Sequence, residues 1–325
     1  MREAKWRLSV WIIGLMAAMA SSAMPSCAES WPQRPVRVIV PVGAGSTPDV
    51  AARIFAERLQ ARWGQPVIVE NRPGADGLIG TAEFAAAHDD HILFFSFAAP
   101  LTVYPAVTAN LSYDAARDIV PISTVAETFG TIAVPASLPV TTLSELAAYA
   151  RSRPGQLNWA SGGGAFPILF AGFLRSAGLD MTEVPYRDQN LALQDATQDR
   201  IQIIVTTVTA AVPLAQAGKL RALAVTNAKR SPLWPSIPTA TEAGYPDLAF
   251  EGLIGVFGPR GMPDERRQRL SEDIRTIAAD RAIVERLAAA GEVVRGSTPG
   301  EFAAAIEEQR AKIMSIVRLT ARPKG

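Results

Sequence analysis

Side chains able to do covalent or metal chemistry are scarce in this sequence. Cys27 is its one cysteine, and His88 and His91 are its two histidines. A Ser-His-acid triad would have to use one of that pair, and no G-x-S-x-G elbow stands at Ser46, Ser161 or elsewhere. Zinc would need three or four ligands from the same histidines plus carboxylates, with no H-E-x-x-H spacing, and G-x-x-x-x-G-K-S/T is absent. Both histidines are expected at the surface, where a strand begins. The paired acids Asp89 and Asp90, and Glu307 and Glu308, read as solvated faces. No catalytic group, metal site or cofactor is therefore expected. Main-chain chemistry recurs instead, in the turns "VPVGAGSTP", "ENRPGADGLIG" and "NWASGGGAFP", each leading from a strand into a helix. Unpaired amides and the positive dipole end at a helix start form a small anion site. A charge-assisted hydrogen bond contributes on the order of 1.5–3 kcal/mol and micromolar affinity needs about −8 kcal/mol, so three or four such donors suffice for a carboxylate without a dedicated arginine.

The first turn also invites a dinucleotide reading. Gly43 and Gly45 follow a strand and open a helix, and Glu70 lies 25 residues beyond Gly45, near the position of a ribose-binding acid. Pro48 stands where the fingerprint needs its third glycine, which leaves that match weak. A Rossmann-like dinucleotide-dependent oxidoreductase is the alternative to a binding protein. What the stretch does specify is a helix start: Ser46 or Thr47 as cap, Pro48 in the first turn, and Asp49 against the dipole.

These turns are positioned by alternating short β-branched runs and amphipathic stretches, which indicates an α/β fold with parallel strands covered on both faces. The strands read as "VRVIVPV", "PVIVEN" and "HILFFSF", then "LNWAS", "MTEVPY", "RIQIIVTTV" and "AGKLRALAVTN". Around residues 113–142 the texture changes to two apolar runs split by polar residues, as in a crossover between domains, and the Pro-rich "KRSPLWPSIPTATEAGYPDL" reads as the return linker. The end is helical, as "PDERRQRLSEDIRTIAADRAIVERLAAAG" and "TPGEFAAAIEEQRAKIMSIVRLT". In such a sheet the glycine turns all lie at carboxyl ends of strands, where ligands bind.

The first thirty residues differ from the rest. Arg2, Lys5 and Arg7 precede the apolar "LSVWIIGLMAAMA", which is shorter than a spanning helix, and small residues follow. They read as a signal peptide, 1–28, cleaved after Ala28 or Ala23, with lipidation of Cys27 the minor alternative. Composition is that of a globular protein, 48% hydrophobic and 19% charged. Removal of residues 1–28 leaves 29 basic against 30 acidic groups (32 − 3 and 31 − 1), so nothing in the balance suggests a nucleic-acid partner. An exported chain without disulfides relies on its hydrophobic core.

From Trp31 to near the C-terminus the sequence resembles the substrate-binding proteins of tripartite tricarboxylate transporters, the Bug-type (TctC-like) periplasmic family. The resemblance is carried by "WPQRPVRVIVPVGAGSTPDVAARIFAERLQARWGQPVIVENRPGADGLIG", "RDIVPIS", "PGQLNWAS", "VPYR", "AGKLRALAVTNAKRSPLWPSIPTATEAGYPD" and "TPGEFAAAIEEQ". It implies a two-domain, periplasmic-binding-protein-like fold with the ligand cleft between the domains: residues 29–126 and 239–325 in one, 127–238 in the other. It also implies a monomeric, non-enzymatic receptor that captures a small organic carboxylate for membrane transporter subunits, or a related sensing role with a signalling partner. Carried onto this chain, the ligand-binding positions are Gly45, Ser46, Thr47 and Asp49; Ala75, Asp76 and Gly77; and Ser161, Gly162 and Gly163, with Ser96, Phe166 and Thr206 added. The chain departs from the family at Asp76, where glycine is usual, at Ala165, Phe166 and Pro167, and at Thr206 and Thr207 in place of Asp-Asn. A pocket lined by Phe166, with Trp159 either over the ligand or in the core, would suit an apolar or aromatic body bearing one carboxylate.

Overall fold

The computed structural model describes residues 31–186 and 188–321; the signal-peptide expectation, with both cleavage sites and Cys27, lies outside them. Residues Pro35–Gly325 form one compact unit built on two sheets. The first begins with β1 (Val36–Val40), α1 (Thr47–Trp63), β2 (Val67–Asn71), α2 (Leu78–Ala86) and β3 (Ile92–Phe97), in which β2 and β3 pair parallel to β1 on either side. Local sequence accounts for these elements. Gly64 ends α1 at φ 68°, its N–H bonded to the Gln60 carbonyl, and the β-branched run of β1 is almost fully buried. After three short helical turns, β4 (Ile119–Thr128) joins this sheet and passes through Phe129 into β5 (Gly130–Pro135) of the second sheet.

The second sheet repeats the plan. It contains α3 (Leu143–Arg151), β6 (Asn158–Ser161), α4 (Phe166–Ser176), β7 (Thr182–Glu183), α5 (Gln189–Ala196), β8 (Ile203–Thr207), α6 (Val208–Gln216) and β9 (Leu220–Val225). The chain then returns through β10 (Gly252–Pro259), α7 (Asp264–Ala278), α8 (Arg281–Ala289), β11 (Val293–Val294) and α9 (Pro299–Ala321). Strand order is β11-β4-β10-β3-β1-β2 in the first sheet and β7-β6-β8-β5-β9 in the second. Each sheet thus holds three parallel strands flanked by antiparallel strands that make the crossings. Each also has its own aromatic core: Phe84 stacks on Phe94 at 4.8 Å below the first, and Trp159 meets Phe170 at 4.9 Å below the second. Trp159 is therefore a core residue.

The crossings lie side by side. The Thr226 N–H donates to Gly130 O, its hydroxyl to Phe250 O, and the Asn227 amide to Thr128 O. A Cβ on Gly252 would come within 2.1 Å of Thr128 Oγ1, so this close approach of the two connections needs a residue without a side chain at 252 or a shift of the Thr128 hydroxyl. Three expectations are revised. The segment after residue 239 does not leave at once for the first sheet: Thr239 bridges Val225, and Ala240 and Leu248 are buried in the second sheet's core. The helix read through "AADRAI" is two helices, because Asp280 stops one and caps the next through the Ala282 N–H. His91 is buried, with Nδ1 2.6 Å from Asp90 Oδ1. Asp90 also pairs with Arg266, so this acidic cluster is internally satisfied. Burial opposes ionisation of Asp90, but His91 and Arg266 outweigh it and hold the carboxyl below its ordinary range.

Candidate functional site

A cavity of about 190 Å³ opens where the carboxyl ends of the parallel strands in both sheets converge on the crossings. That is room for a small organic molecule, since cavities near 150 Å³ accept benzene. From the first sheet come Pro41 and Val42 after β1, Asp76 and Gly77 before α2, and Ser96 to Pro100 and Thr102 to Tyr104 through the end of β3 and the turn beyond it. From the second come Gly163 to Phe166 after β6, Gln189 at the start of α5, and Thr207 at the end of β8. Thr128, Gly130, Phe250 and Gly252 of the crossings form the floor, with Gln309 of α9 beside them. Helices α2, α4, α5 and α6 begin beside the lining residues Gly77, Phe166, Gln189 and Thr207, which brings their positive dipole ends near the cavity, with the Asn190 and Ala210 N–H groups already taken by the caps Asp188 and Thr207. No arginine or lysine lines it among the described residues. The chemistry on offer is therefore a field of amides, a few hydroxyls and apolar surface.

Five expected site residues meet at this cavity: Asp76, Gly77, Ser96, Gly163 and Phe166. Ser96 is buried in β3 opposite Gly255, and its hydroxyl has no partner among the described residues. The remaining eight lie outside the lining. Gly45, Ser46, Thr47 and Asp49 belong to a turn that closes on itself. Asp49 is buried, and its carboxylate accepts the Gly45 N–H at 2.8 Å, the Asn71 amide at 2.9 Å and the Arg53 guanidinium at 3.0 Å. Burial would raise the Asp49 carboxyl, but these bonds, Arg53 foremost, outweigh it and hold it below the usual aspartate range. Ser46 occupies the cap position of α1 without a side-chain cap; its hydroxyl donates instead to the Gly43 carbonyl. The acid of the dinucleotide reading is also engaged, since Glu70 receives both arms of Arg37 at 2.7 Å each.

In the second turn Ala75 is exposed at φ 48° and is not part of the cavity lining. In the third, the Gly162 N–H extends the β6–β8 pairing by donating to Val205 O, and Gln189 covers this residue so closely that a Cβ would meet its Oε1 at 2.2 Å. Ser161 pairs in the same ladder. Thr206 is fully buried with its hydroxyl unpartnered, and it is the neighbouring Thr207 that reaches the cavity, while capping α6 through the Ala210 N–H. Strand alternation explains the exchange: Ile203 and Val205 belong to one core and Ile204 to the other, so Thr206 and Thr207 must face opposite ways. Tyr104, Gln189 and Gln309 were not expected. Tyr104 is buried and its hydroxyl donates to the Asp76 carbonyl; burial foremost, and then Asp76, push that phenol well above the ordinary tyrosine range.

Two sheets of this topology, joined by adjacent crossings with a cleft at the strand ends, define a two-domain periplasmic solute-binding protein. The chain belongs to the tripartite tricarboxylate transporter family of receptors, whose family model matches residues 51–321. It is 31% identical to Protein BugT of Bordetella pertussis over 313 residues, 95% of this chain and 96% of that one. An adipate-bound protein of R. palustris superposes with TM-score 0.80 at 29% identity, covering 89% of this chain and 98% of the other. MatC of Rhodopseudomonas palustris with bound malate gives TM-score 0.76 at 27% identity, covering 88% and 100%.

Proposed function

We propose that this chain is an exported, monomeric receptor without enzymatic activity, which closes on a small organic acid bearing one carboxylate on an apolar or aromatic body and delivers it to the membrane subunits of a tripartite transporter. The observation that carries this reading is the cavity wall: helix starts from both sheets converge on it, no cationic side chain lines it among the described residues, and Phe97, Phe166 and Phe250 supply apolar surface. Amides without a counter-charge suit one carboxylate held by oriented dipoles, and the rings suit a hydrocarbon body. The relatives that carry adipate and malate support a carboxylate ligand.

In this reading Gly77, Ser96, Gly163 and Phe166 contact the ligand, together with Thr207 in place of Thr206. The proposed domains, 29–126 with the return segment from about Gly252, and the residues between them, move about the paired crossings; the burial of Ala240 and Leu248 in the second sheet's core supports a return boundary later than the expected 239. The signal peptide, 1–28, takes the chain to the periplasm.

The test is a melting screen of the mature protein against mono-, di- and tricarboxylates, aliphatic and aromatic. A true ligand at a hundredfold excess over its Kd adds about 2.7 kcal/mol of stability, and aromatic or aliphatic monocarboxylates are expected to lead. A screen in which no carboxylate raises Tm, while a nicotinamide dinucleotide does, would overturn the reading in favour of the oxidoreductase.

A further inference from the structure

Asp76 is the one charged side chain among the described residues that line the cavity. Its backbone is unusual. Ala75 and Asp76 are consecutive non-glycine residues at positive φ, 48° and 53°, a region that side-chain-bearing residues other than Asn and Asp enter reluctantly. The bend is held from the buried side by the Tyr104 hydroxyl, which donates to the Asp76 carbonyl, and from within by the Gly77 N–H on the Gly74 carbonyl. It carries the Asp76 carboxylate out of the first sheet's turn and across the cleft. There Oδ2 accepts the Gly164 N–H at 3.2 Å, and Oδ1 lies 2.5 Å from where a Cβ on Gly163 would stand. No arginine or lysine among the described residues pairs with it.

We infer that Asp76 determines specificity in this cleft: it occupies the amide site after β6 that a second ligand carboxylate would take, and it requires a hydrogen-bond donor, most strongly a protonated amine, on the end of the ligand that faces it. The inference rests on the receptor reading and narrows it to amphoteric acids. A carboxylate can accept about four hydrogen bonds, and within the protein the Asp76 carboxylate is engaged only by the Gly164 N–H and the nearby Tyr104 hydroxyl, so acceptor capacity remains toward the cavity. A dicarboxylate would have to displace Asp76 from Gly164 and hold two like charges together without a cation between them. An ammonium at the same place completes a charge-assisted bond.

The test uses three probes of one chain length, hexanoate, 6-aminohexanoate and adipate, titrated calorimetrically into the mature protein and its Asp76→Asn and Asp76→Gly variants. Asn and Gly both accept positive φ, so both variants are expected to fold, which their melting curves check. The wild type should rank 6-aminohexanoate above hexanoate and hexanoate above adipate, with a factor of about 3–10 between neighbours, because Asp76 is solvent-exposed and partly screened. Both variants should invert the order of the first and last, and added salt should shrink the wild-type spread. The same ranking in all three proteins, or no binding of any probe to any of them, overturns the inference. The receptor reading is judged separately by the wider melting screen, so the two fail independently.

Discussion

The turns after β1 and β6 are written alike, strand to small residues to helix, yet their free amides meet different partners. In the first, the Gly45 N–H is taken by Asp49 of the same turn, and that carboxylate is also tied to Arg53 and Asn71. In the third, the Gly164 N–H is taken by Asp76 from the opposite sheet, with no cation lining the cavity beside it among the described residues. A carboxylate supplied from within a turn is part of the fold and cannot be exchanged without cost. One supplied across a cleft is replaceable by a ligand. The contrast separates structural from functional anion sites more sharply than glycine content does.

Glu292 takes this comparison to its limit, because it is a buried carboxylate with neither amide nor cation bonded to it among the described residues. Both its oxygens lack partners, and burial pushes its carboxyl from 4.5 up to about 8. The folded protein therefore holds the proton more tightly than the unfolded chain. The stabilising effect of that proton is fully present below pH 4.5 and is lost as the pH rises through about 8. The whole loss is on the order of 4 kcal/mol, the largest effect predicted here. Melting temperatures should fall between pH 5 and pH 9, and Glu292→Gln should remove most of that fall; parallel pH profiles in the two proteins would show that Glu292 is solvated.

Asp49 should come next. Asp49→Ala leaves the Gly45 N–H, the Asn71 amide and Arg53 without their shared acceptor, at a cost of about 3 kcal/mol and several degrees of Tm. Since its pKa is depressed, its contribution is present above the ordinary value of 3.8 and is lost as the pH falls below it, so the deficit of the variant should narrow near pH 3. Ligand ranking should not change. A change in ranking with little loss of stability would mean that the first turn faces the ligand after all.

The alternation of strands and helices was legible because it depends on neighbours in the chain: β-branched runs, caps, and glycines such as Gly64 and Gly77 at φ 68° and 88°. What was not legible depends on distant partners. Nothing near Tyr104 announces its bond to the Asp76 carbonyl 28 residues away, nor does Gln189 show locally that it covers Gly162. The first turn was misjudged because Asp49 reads as a dipole partner until Asn71, from the next strand, is seen to complete its cage. The Thr206 and Thr207 exchange was recoverable: counting alternate residues from Ile203, which faces the same core as Val205, puts Thr207 on the cavity side of β8.

The smallest effect gives the closest test of how Asp76 sits. Gly163 does not have a positive φ, so Ala is acceptable to its backbone, and the first atom its methyl group would meet is Asp76 Oδ1. Because that atom ends a flexible side chain, it can move aside, and Gly163→Ala should cost only about 1 kcal/mol. The three nearest atoms to that methyl group all belong to Asp76, so most of the cost should vanish in an Asp76→Gly background, giving a coupling of about 0.5–1 kcal/mol in a double-mutant cycle read by chemical denaturation. The coupling is a property of the free protein and needs no ligand. Equal costs in both backgrounds would mean that Asp76 does not rest against the third turn in solution, and the division between an internal anion that builds the fold and one that guards a cleft would then lose its second member.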